Sequence, residues 1–237
     1  MNAMNLAIIN SGYNSPSKEE GKYFPKQLIK INGEYLIERI IRLAGQSGLK
    51  KAICLINEGE HELKNYLLTK DLGIQLKLIV KDSASALHSL FLLAPYLADE
   101  PFCLATTECI FDENEFTEFI SYSNLQNEAD GALAVTRYFN NEKPVCVAMN
   151  EDDTIFKFSD STDGYNWALG GICVLSPKIF DEMQNALDEG ITRLWNFFRL
   201  LIQHGYRLKG FSFSKIIEVK HIADLGKIEN FIKSPGI

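Results

Sequence analysis

Two hydrophobic rhythms alternate along this chain. Short apolar runs bounded by turn-forming residues are strand-like; longer segments with apolar residues at 3/4 spacing are helix-like. Leu6–Ile9 opens as a strand, and Tyr35–Gln46 follows as an amphipathic helix with Leu36, Ile37, Ile40, Ile41 and Ala44 on one face. Gly48 is placed to stop that helix. Lys51–Asn57, Ile74–Val80 and Phe102–Thr107 are further strands, separated by helices over Glu60–Thr69 and Ser83–Leu97. The order βαβαβαβ with short connections implies a mostly parallel sheet.

From residue 113 the rhythm changes. Glu113–Asn127 is helical and Gly131–Tyr138 is a strand, while Val145–Met149 and Thr154–Phe158 flank the turn-forming Asn-Glu-Asp-Asp and make a hairpin. Gly171–Leu175, Leu208–Ser214 and Ile216–Lys220 are strands; Pro177–Leu187, Arg193–His204 and Ile222–Ile232 are helices. No repeat, low-complexity tract or linker divides the sequence. Residues 1–237 therefore read as one domain, with a first half over 1–112 and a second half over 113–237 that adds strands around a pocket.

Composition narrows the function classes. With 237 residues, 46% hydrophobic and 23% charged, a packed core is expected. The net charge of −7 argues against a general nucleic-acid binder, while leaving room for local phosphate binding through backbone N–H groups and a few lysines. No apolar run approaches the roughly 18 residues of a membrane helix. The first ten residues lack the basic and apolar regions of a secretory signal. Cys54, Cys103, Cys109, Cys146 and Cys173 form no C-x-x-C pair and sit mostly in apolar runs, so they read as reduced core residues of a cytoplasmic protein.

Ligands of open α/β sheets bind beyond the carboxyl ends of the strands, and four features fall near such ends. The loop Asn10-Ser11-Gly12-Tyr13-Asn14 follows the first strand; Gly12 can take positive φ and aim N–H groups at an anion. Pro25 stiffens the chain before Lys26, whose ammonium suits a phosphate oxygen. Glu108 follows the buried run Phe102–Thr107, where a carboxylate can hold a divalent metal. Glu218 alternates with Ile217 and Val219 and so faces away from both. Each also has a plain reading: an ordinary turn, a solvent lysine, surface acids. Asp152 and Asp153 read as turn residues, His88 as a helix-surface residue and Trp167 as a packing residue. His61, His88, His204 and His221 show no metal-ligand spacing.

The order of these segments resembles the nucleotidyltransferase superfamily that makes activated sugars and related headgroups, including phosphocholine cytidylyltransferase-like enzymes. "PKQLIKINGEYLIERII" carries the closest likeness, "DSASALHSLFLLAPYL" resembles the segment for base contacts, and "PFCLATTECIFD" the strand ending in a metal-binding Asp. "ALGGICVLSPKIFD" resembles the Gly-Gly strand of the substrate half, and "IIEVKHIADLGKIENFI" the closing motif with a second acidic ligand. The resemblance implies a three-layer α/β/α Rossmann-like fold with a mixed, mostly parallel central sheet. It implies transfer of NMP from an NTP to a phosphorylated small molecule, with pyrophosphate released. It assigns Lys26 to catalysis on the triphosphate, and Asn10, Ser11, Gly12 and Tyr13 to the phosphate loop. Ser83, Ala84 and Ser85 go to the base, Gly170 and Gly171 to close approach of the second substrate, and Glu108 and Glu218 to Mg²⁺. The implied partners are an NTP and a small phosphorylated substrate, with no nucleic acid and no membrane; a homo-oligomer stays open.

The sequence departs from that pattern where the chemistry sits. The loop lacks its second glycine, the arginine position falls at or near Pro16, Glu stands for Asp at 108 and 218, and Lys220 replaces an acidic neighbour. The second lysine of the pattern falls near Asp160 or Ser161, with Lys157 the nearest basic residue. Two alternatives follow. One is a non-catalytic relative that binds a nucleotide or a partner. The other is a nucleotide-sugar-dependent glycosyltransferase, against which stands the absence of Asp-x-Asp in "TTECIFD". Tyr13, Tyr165 and Trp167 would suit a quaternary ammonium in a phosphocholine-like substrate.

Overall fold

The computed structural model describes residues 4–9, 25–125, 128–139 and 143–219, together with Gly226 and Ile228. In the first half the elements are β1 (Asn5–Ile8), β2 (Lys30–Ile31), β3 (Glu34–Tyr35), α1 (Leu36–Gln46), β4 (Lys51–Ile56), α2 (His61–Thr69), β5 (Gln75–Val80), α3 (Ala86–Leu93), β6 (Phe102–Ala105) and β7 (Cys109–Ile110). In the second half they are α4 (Glu113–Leu125), β8 (Gly131–Thr136), β9 (Cys146–Met149), β10 (Ile155–Ser159), β11 (Trp167–Leu175), α5 (Met183–Asp188), α6 (Leu194–Gln203), β12 (Leu208–Phe213) and β13 (Ile217–Glu218).

Strict alternation along the inner strands creates two cores. Leu6, Ile8, Cys54 and Ile56 face one side and pack with Ile37 and Ile41 of α1, Leu63 of α2 and Phe116 of α4. Ala7, Ile53 and Leu55 face the other and pack with Leu87 and Leu90 of α3, Ala186 of α5 and Phe197 of α6. A sheet whose strands are apolar on both faces must be covered on both, which yields the three layers. The main sheet runs β10-β9-β11-β6-β1-β4-β5, with β8 and β12 branching from β11. Strands β1, β4, β5 and β6 are mutually parallel. β11 opposes β6, β8 and β9, and β12 follows β8. With β10 opposing β9, only β10 and β11 run against the others among the described strands. The sheet is therefore mixed and mostly parallel, as the resemblance implies.

The chain moves outward from β1 to β4 and β5, then returns to place β6 on the other edge of β1. This reversal puts the carboxyl ends of β1 and β6 side by side, with Ile8 opposite Ala105.

Several expected elements are shorter than the apolar pattern suggests. The helix over Ser83–Leu97 is α only to Leu93; Pro95 then makes the turn Ala94–Tyr96 a tighter 3-10 helix. Pro177–Glu182 is likewise 3-10 before α5. β11 begins at Trp167, not at Gly171, with a register break between Leu169 and Cys173. The hairpin β2–β3 was not in the sequence reading, although Asn32 (φ 51°) and Gly33 (φ 87°) form the Asn-Gly turn that favours one. Gly48 takes φ 92° after α1, as its position predicts. Of the expected closing helix only Gly226 and Ile228 lie within the described residues, and both are helical.

Candidate active site

Beside the carboxyl end of β6 lies a cavity of about 750 Å³, within the size range of small-molecule sites. Its wall combines Ala84, Ser85, Thr106, Glu108 and Cys109 from the first half with Tyr138, Gly170, Gly171, Arg193 and Glu218 from the second. Thus three separate expectations, the base segment, the Gly-Gly strand and the two glutamates, meet in one place.

The glutamates are carried by a small ribbon. β13 pairs antiparallel with β7, Glu218 opposite Cys109, and the Val219 N–H donates to the Glu108 carbonyl at 2.8 Å. Ile217 and Val219 are buried while Glu218 is half-exposed and reaches the cavity, as alternation predicts. Glu108 is 5% exposed, the more sequestered of the two. Ile110, Ile217 and Val219 form an apolar cluster with Ile29, Ile31, Leu36 and Ile228. That cluster ties the ribbon to the segment just after Lys26.

Lys26 opens a 3-10 turn after Pro25, which sits at φ −65°, and the Ile29 N–H closes the turn on the Lys26 carbonyl at 2.9 Å. Lys26 is half-buried and is not in the cavity wall formed by the described residues. Asn10, Ser11, Gly12 and Tyr13, with Pro16 and Lys220, lie outside the described residues.

The segment assigned to base contact is held by its own helix. Ser85 caps α3 by accepting from the His88 N–H at 3.1 Å, and the Ala84 N–H donates to His88 Nδ1 at 2.9 Å. His88 therefore locks the loop as well as lying on the helix surface. Ser83 is buried, its hydroxyl 2.6 Å from that of Ser89, and it lies behind the wall, not in it. Ala84 and Ser85 present the loop to the cavity, and the Leu87 N–H donates to the Thr192 carbonyl at 3.3 Å, bringing Arg193 alongside.

Gly170 and Gly171 line the cavity, and the protein itself also requires them. A Cβ on Gly171 would collide with Cys109 Sγ and lie 2.7 Å from Thr106 Oγ1; one on Gly170 would lie 2.5 Å from Ile216 Cδ1. The bare backbone lets the ribbon settle onto β11. The Thr106 N–H donates to the Gly171 carbonyl at 3.2 Å and completes the seam. Burial, with Glu218 nearby, pushes the Cys109 thiol up to about 12, so it stays protonated and is no nucleophile. Cys54 and Cys103 are pushed up to about 12 by burial as well, and all five cysteines are buried and unpaired.

The turn at Asp152 and Asp153 is a turn, with Asp153 at φ 63°, and it is also anchored. Lys209 Nζ reaches the Asp152 carbonyl at 2.6 Å and its carboxylate at 2.9 Å, which holds that carboxyl far below its ordinary range. The clamp fixes the β9–β10 hairpin, whose other end supplies Lys143, Val145 and Asp160 to the cavity. Sequence reading missed Tyr138, Phe139, Arg193 and Trp195 as wall residues. Tyr138 lies just past the carboxyl end of β8, so the strand-end rule that singled out Glu108 would have found it. Arg193 and Trp195 come together with α3 only through the fold.

This three-layer architecture is shared with solved structures of other proteins. Over its whole length the chain superposes on the inositol-1-phosphate CTP transferase from T. maritima with a TM-score of 0.79 and 20% identity, spanning 100% of this chain and 99% of that one. It superposes on a UDP-glucose pyrophosphorylase solved with UDP-glucose with a TM-score of 0.81 and 13% identity, spanning 99% and 100%. No protein-family model and no curated protein matches the sequence. At such identities the likeness is one of fold, and function must be argued from the site.

Among the described residues no helix is long and apolar enough to cross a membrane, and no three His, Cys, Asp or Glu side chains cluster as a metal site. Two carboxylates are nonetheless enough for Mg²⁺, which keeps waters and takes substrate phosphates for its remaining positions. Glu218 of β13 and Glu108, directly before β7, line one cavity and fit that donor set.

Proposed function

We propose that this chain is a Mg²⁺-dependent nucleotidyltransferase acting on an NTP and a small phosphorylated acceptor. The observation that carries the reading is the convergence of Glu108, Glu218, Ala84, Ser85, Gly170 and Gly171 on one cavity beside the carboxyl end of β6. An oxygen of the acceptor phosphate attacks the α-phosphorus of the NTP, the bond to the β-phosphate breaks, and pyrophosphate leaves. The attacking oxygen is already anionic, so the step needs no general base. The protein's work is to bring two polyanions together in line. Glu108 and Glu218 would hold Mg²⁺, which would supply charge neutralisation on the triphosphate. Lys26 stabilises the triphosphate, the loop over residues 10–13 takes its outer phosphates, and Ala84 and Ser85 meet the base. Sugar 1-phosphates and phosphocholine-like molecules are the acceptor classes, and the chemistry suits the cytoplasm.

The test is a thermal-shift panel of CTP, UTP, GTP, ATP and dTTP with and without Mg²⁺, on wild type and Lys26→Ala, followed by pyrophosphate release with acceptors. A ligand at 100 times its Kd stabilises by about 2.7 kcal/mol, roughly 5–10 °C for a chain of this size. A Mg²⁺-dependent shift with one triphosphate, lost in Lys26→Ala, is the expected outcome. No shift with any triphosphate sinks the reading.

A further inference from the structure

Arginine usage across the molecule singles out one cluster. The chain has six arginines. Arg39 and Arg42 are spent on Glu113 at 3.4 and 2.9 Å, Arg199 on Asp160 at 3.0 Å and Arg207 on Glu128 at 3.2 Å. Arg137 and Arg193 have no carboxylate partner among the described residues. Instead each guanidinium lies over an indole: Arg137 over Trp167 at 4.5 Å and Arg193 over Trp195 at 5.3 Å. Trp167 and Trp195 are the only tryptophans in the chain.

One pair stands in the cavity wall and the other adjoins it along the chain. Arg193 and Trp195 are in the wall. Arg137 and Trp167 are not wall residues themselves, but Arg137 falls between the wall residues Thr136 and Tyr138, and Trp167 directly precedes the wall residue Ala168. An indole face holds the plane of a guanidinium and leaves its N–H edge open, the geometry that grips a carboxylate or phosphate with two parallel bonds. In a protein of net charge −7, two arginines without a carboxylate partner among the described residues, one in the cavity wall and one beside it in the chain, do not follow from a generally basic surface. Asp160, the acid on the hairpin side, is already neutralised by Arg199. Tyr165 likewise faces a protein cation, Lys157 at 5.8 Å. Of the three rings that would suit a quaternary ammonium, Trp167 and Tyr165 are thus already faced by cations, and Tyr13 lies outside the described residues.

The geometry points to an acceptor that carries a second anionic group, a carboxylate or another phosphate, besides the phosphate that attacks. Arg137 and Arg193 hold that group edge-on. The proposal rests on the nucleotidyl-transfer reading only for the identity of the reacting phosphate.

The two tryptophans report occupancy directly. Their emission is followed in the full chain, without nucleotide, during titration with glucose 1-phosphate, glucuronate 1-phosphate and glucose 1,6-bisphosphate. At least one doubly anionic probe is expected to bind about tenfold or more tighter than glucose 1-phosphate, the worth of a charged hydrogen-bonded pair. Preference for the glucuronate arm identifies a carboxylate, and for the bisphosphate arm a phosphate. Arg137→Gln and Arg193→Gln each shrink the preference toward unity, whereas Arg207→Gln keeps it. Equal binding of all three probes, no response to any, or a preference surviving in both cavity variants overturns the proposal. Nucleotide binding is measured separately by thermal shift. Failure there with the preference intact sinks nucleotidyl transfer alone; the reverse sinks only the second anionic group.

Discussion

In β1, β4 and β6 burial runs almost without interruption, whereas β11 divides its edges among β6, β8 and β9 and breaks register between Leu169 and Cys173. The first three strands follow the pattern expected of a sheet covered on both faces. β11 gives up regular pairing at Gly170 and Gly171 so that the ribbon bearing Glu108 and Glu218 can rest on it. The parallel strands therefore store stability, and the irregular strand shapes the cavity. The two regions respond to substitution in different ways.

The largest expected effect is in the parallel half. Leu6→Ala, at a site 0% exposed in β1, should cost about 2–5 kcal/mol. It should move the urea midpoint with the slope unchanged. An effect under about 1 kcal/mol would mean that this strand is not the stable frame.

Gly171→Ala comes next, at about 1–3 kcal/mol for overpacking, because its Cβ meets Cys109 and Thr106. Cys109→Ala in the same chain should recover part of that loss, so the double variant costs less than the sum of the singles. Strict additivity in urea unfolding would show that the seam between β11 and the ribbon is not tightly packed. Thermal-shift response to triphosphate should fall in Gly171→Ala even where the chain remains folded, an uncoupling not expected of Leu6→Ala.

The smallest effect lies at the joint between the halves. Arg42 grips Glu34 at 2.7 and 2.9 Å and Glu113 at 2.9 and 3.0 Å, bridging β3, α1 and α4. Hydrogen bonding from Arg42 outweighs burial and holds the Glu113 carboxyl below its ordinary range. A carboxyl depressed in the folded chain contributes stability above its unfolded value, about 4.3, and loses it as pH falls through the lower folded value. Arg42→Met should therefore cost on the order of 0.5–1 kcal/mol at pH 7, given solvent screening, and almost nothing once Glu113 is protonated in both states. A difference from wild type that stays constant down to the acid limb would exclude this ion pair as its source.

Much of the fold was legible because its signals are local. The β/α order, the stop at Gly48 and the turn at Asp152 and Asp153 follow from spacing and backbone preference, and the buried cysteines from their apolar neighbours. Helix lengths were overestimated where Pro95 and Pro177 substitute a 3-10 turn for α-helix, since apolar spacing continues through both. For the site, Glu108 and Glu218 could be proposed from their places along strand-like runs, and Ala84, Ser85, Gly170 and Gly171 from the family resemblance. Ser83 could not be told from its neighbours, because its burial depends on Ser89 one turn into α3.

By itself the sequence determined the layered α/β class, the run of strands that meet at the switch point, and the acidic residues at their ends. These are properties of residue spacing along the chain. Only the tertiary structure decided that the Gly-Gly pair serves the ribbon's packing, that His88 holds Ala84, and that Arg137 and Arg193 are the arginines without a carboxylate partner among the described residues, each braced by a tryptophan. Those facts concern which groups remain unpaired after all others have found partners. Pairing is settled by register and packing between segments far apart in the chain, which periodicity does not encode.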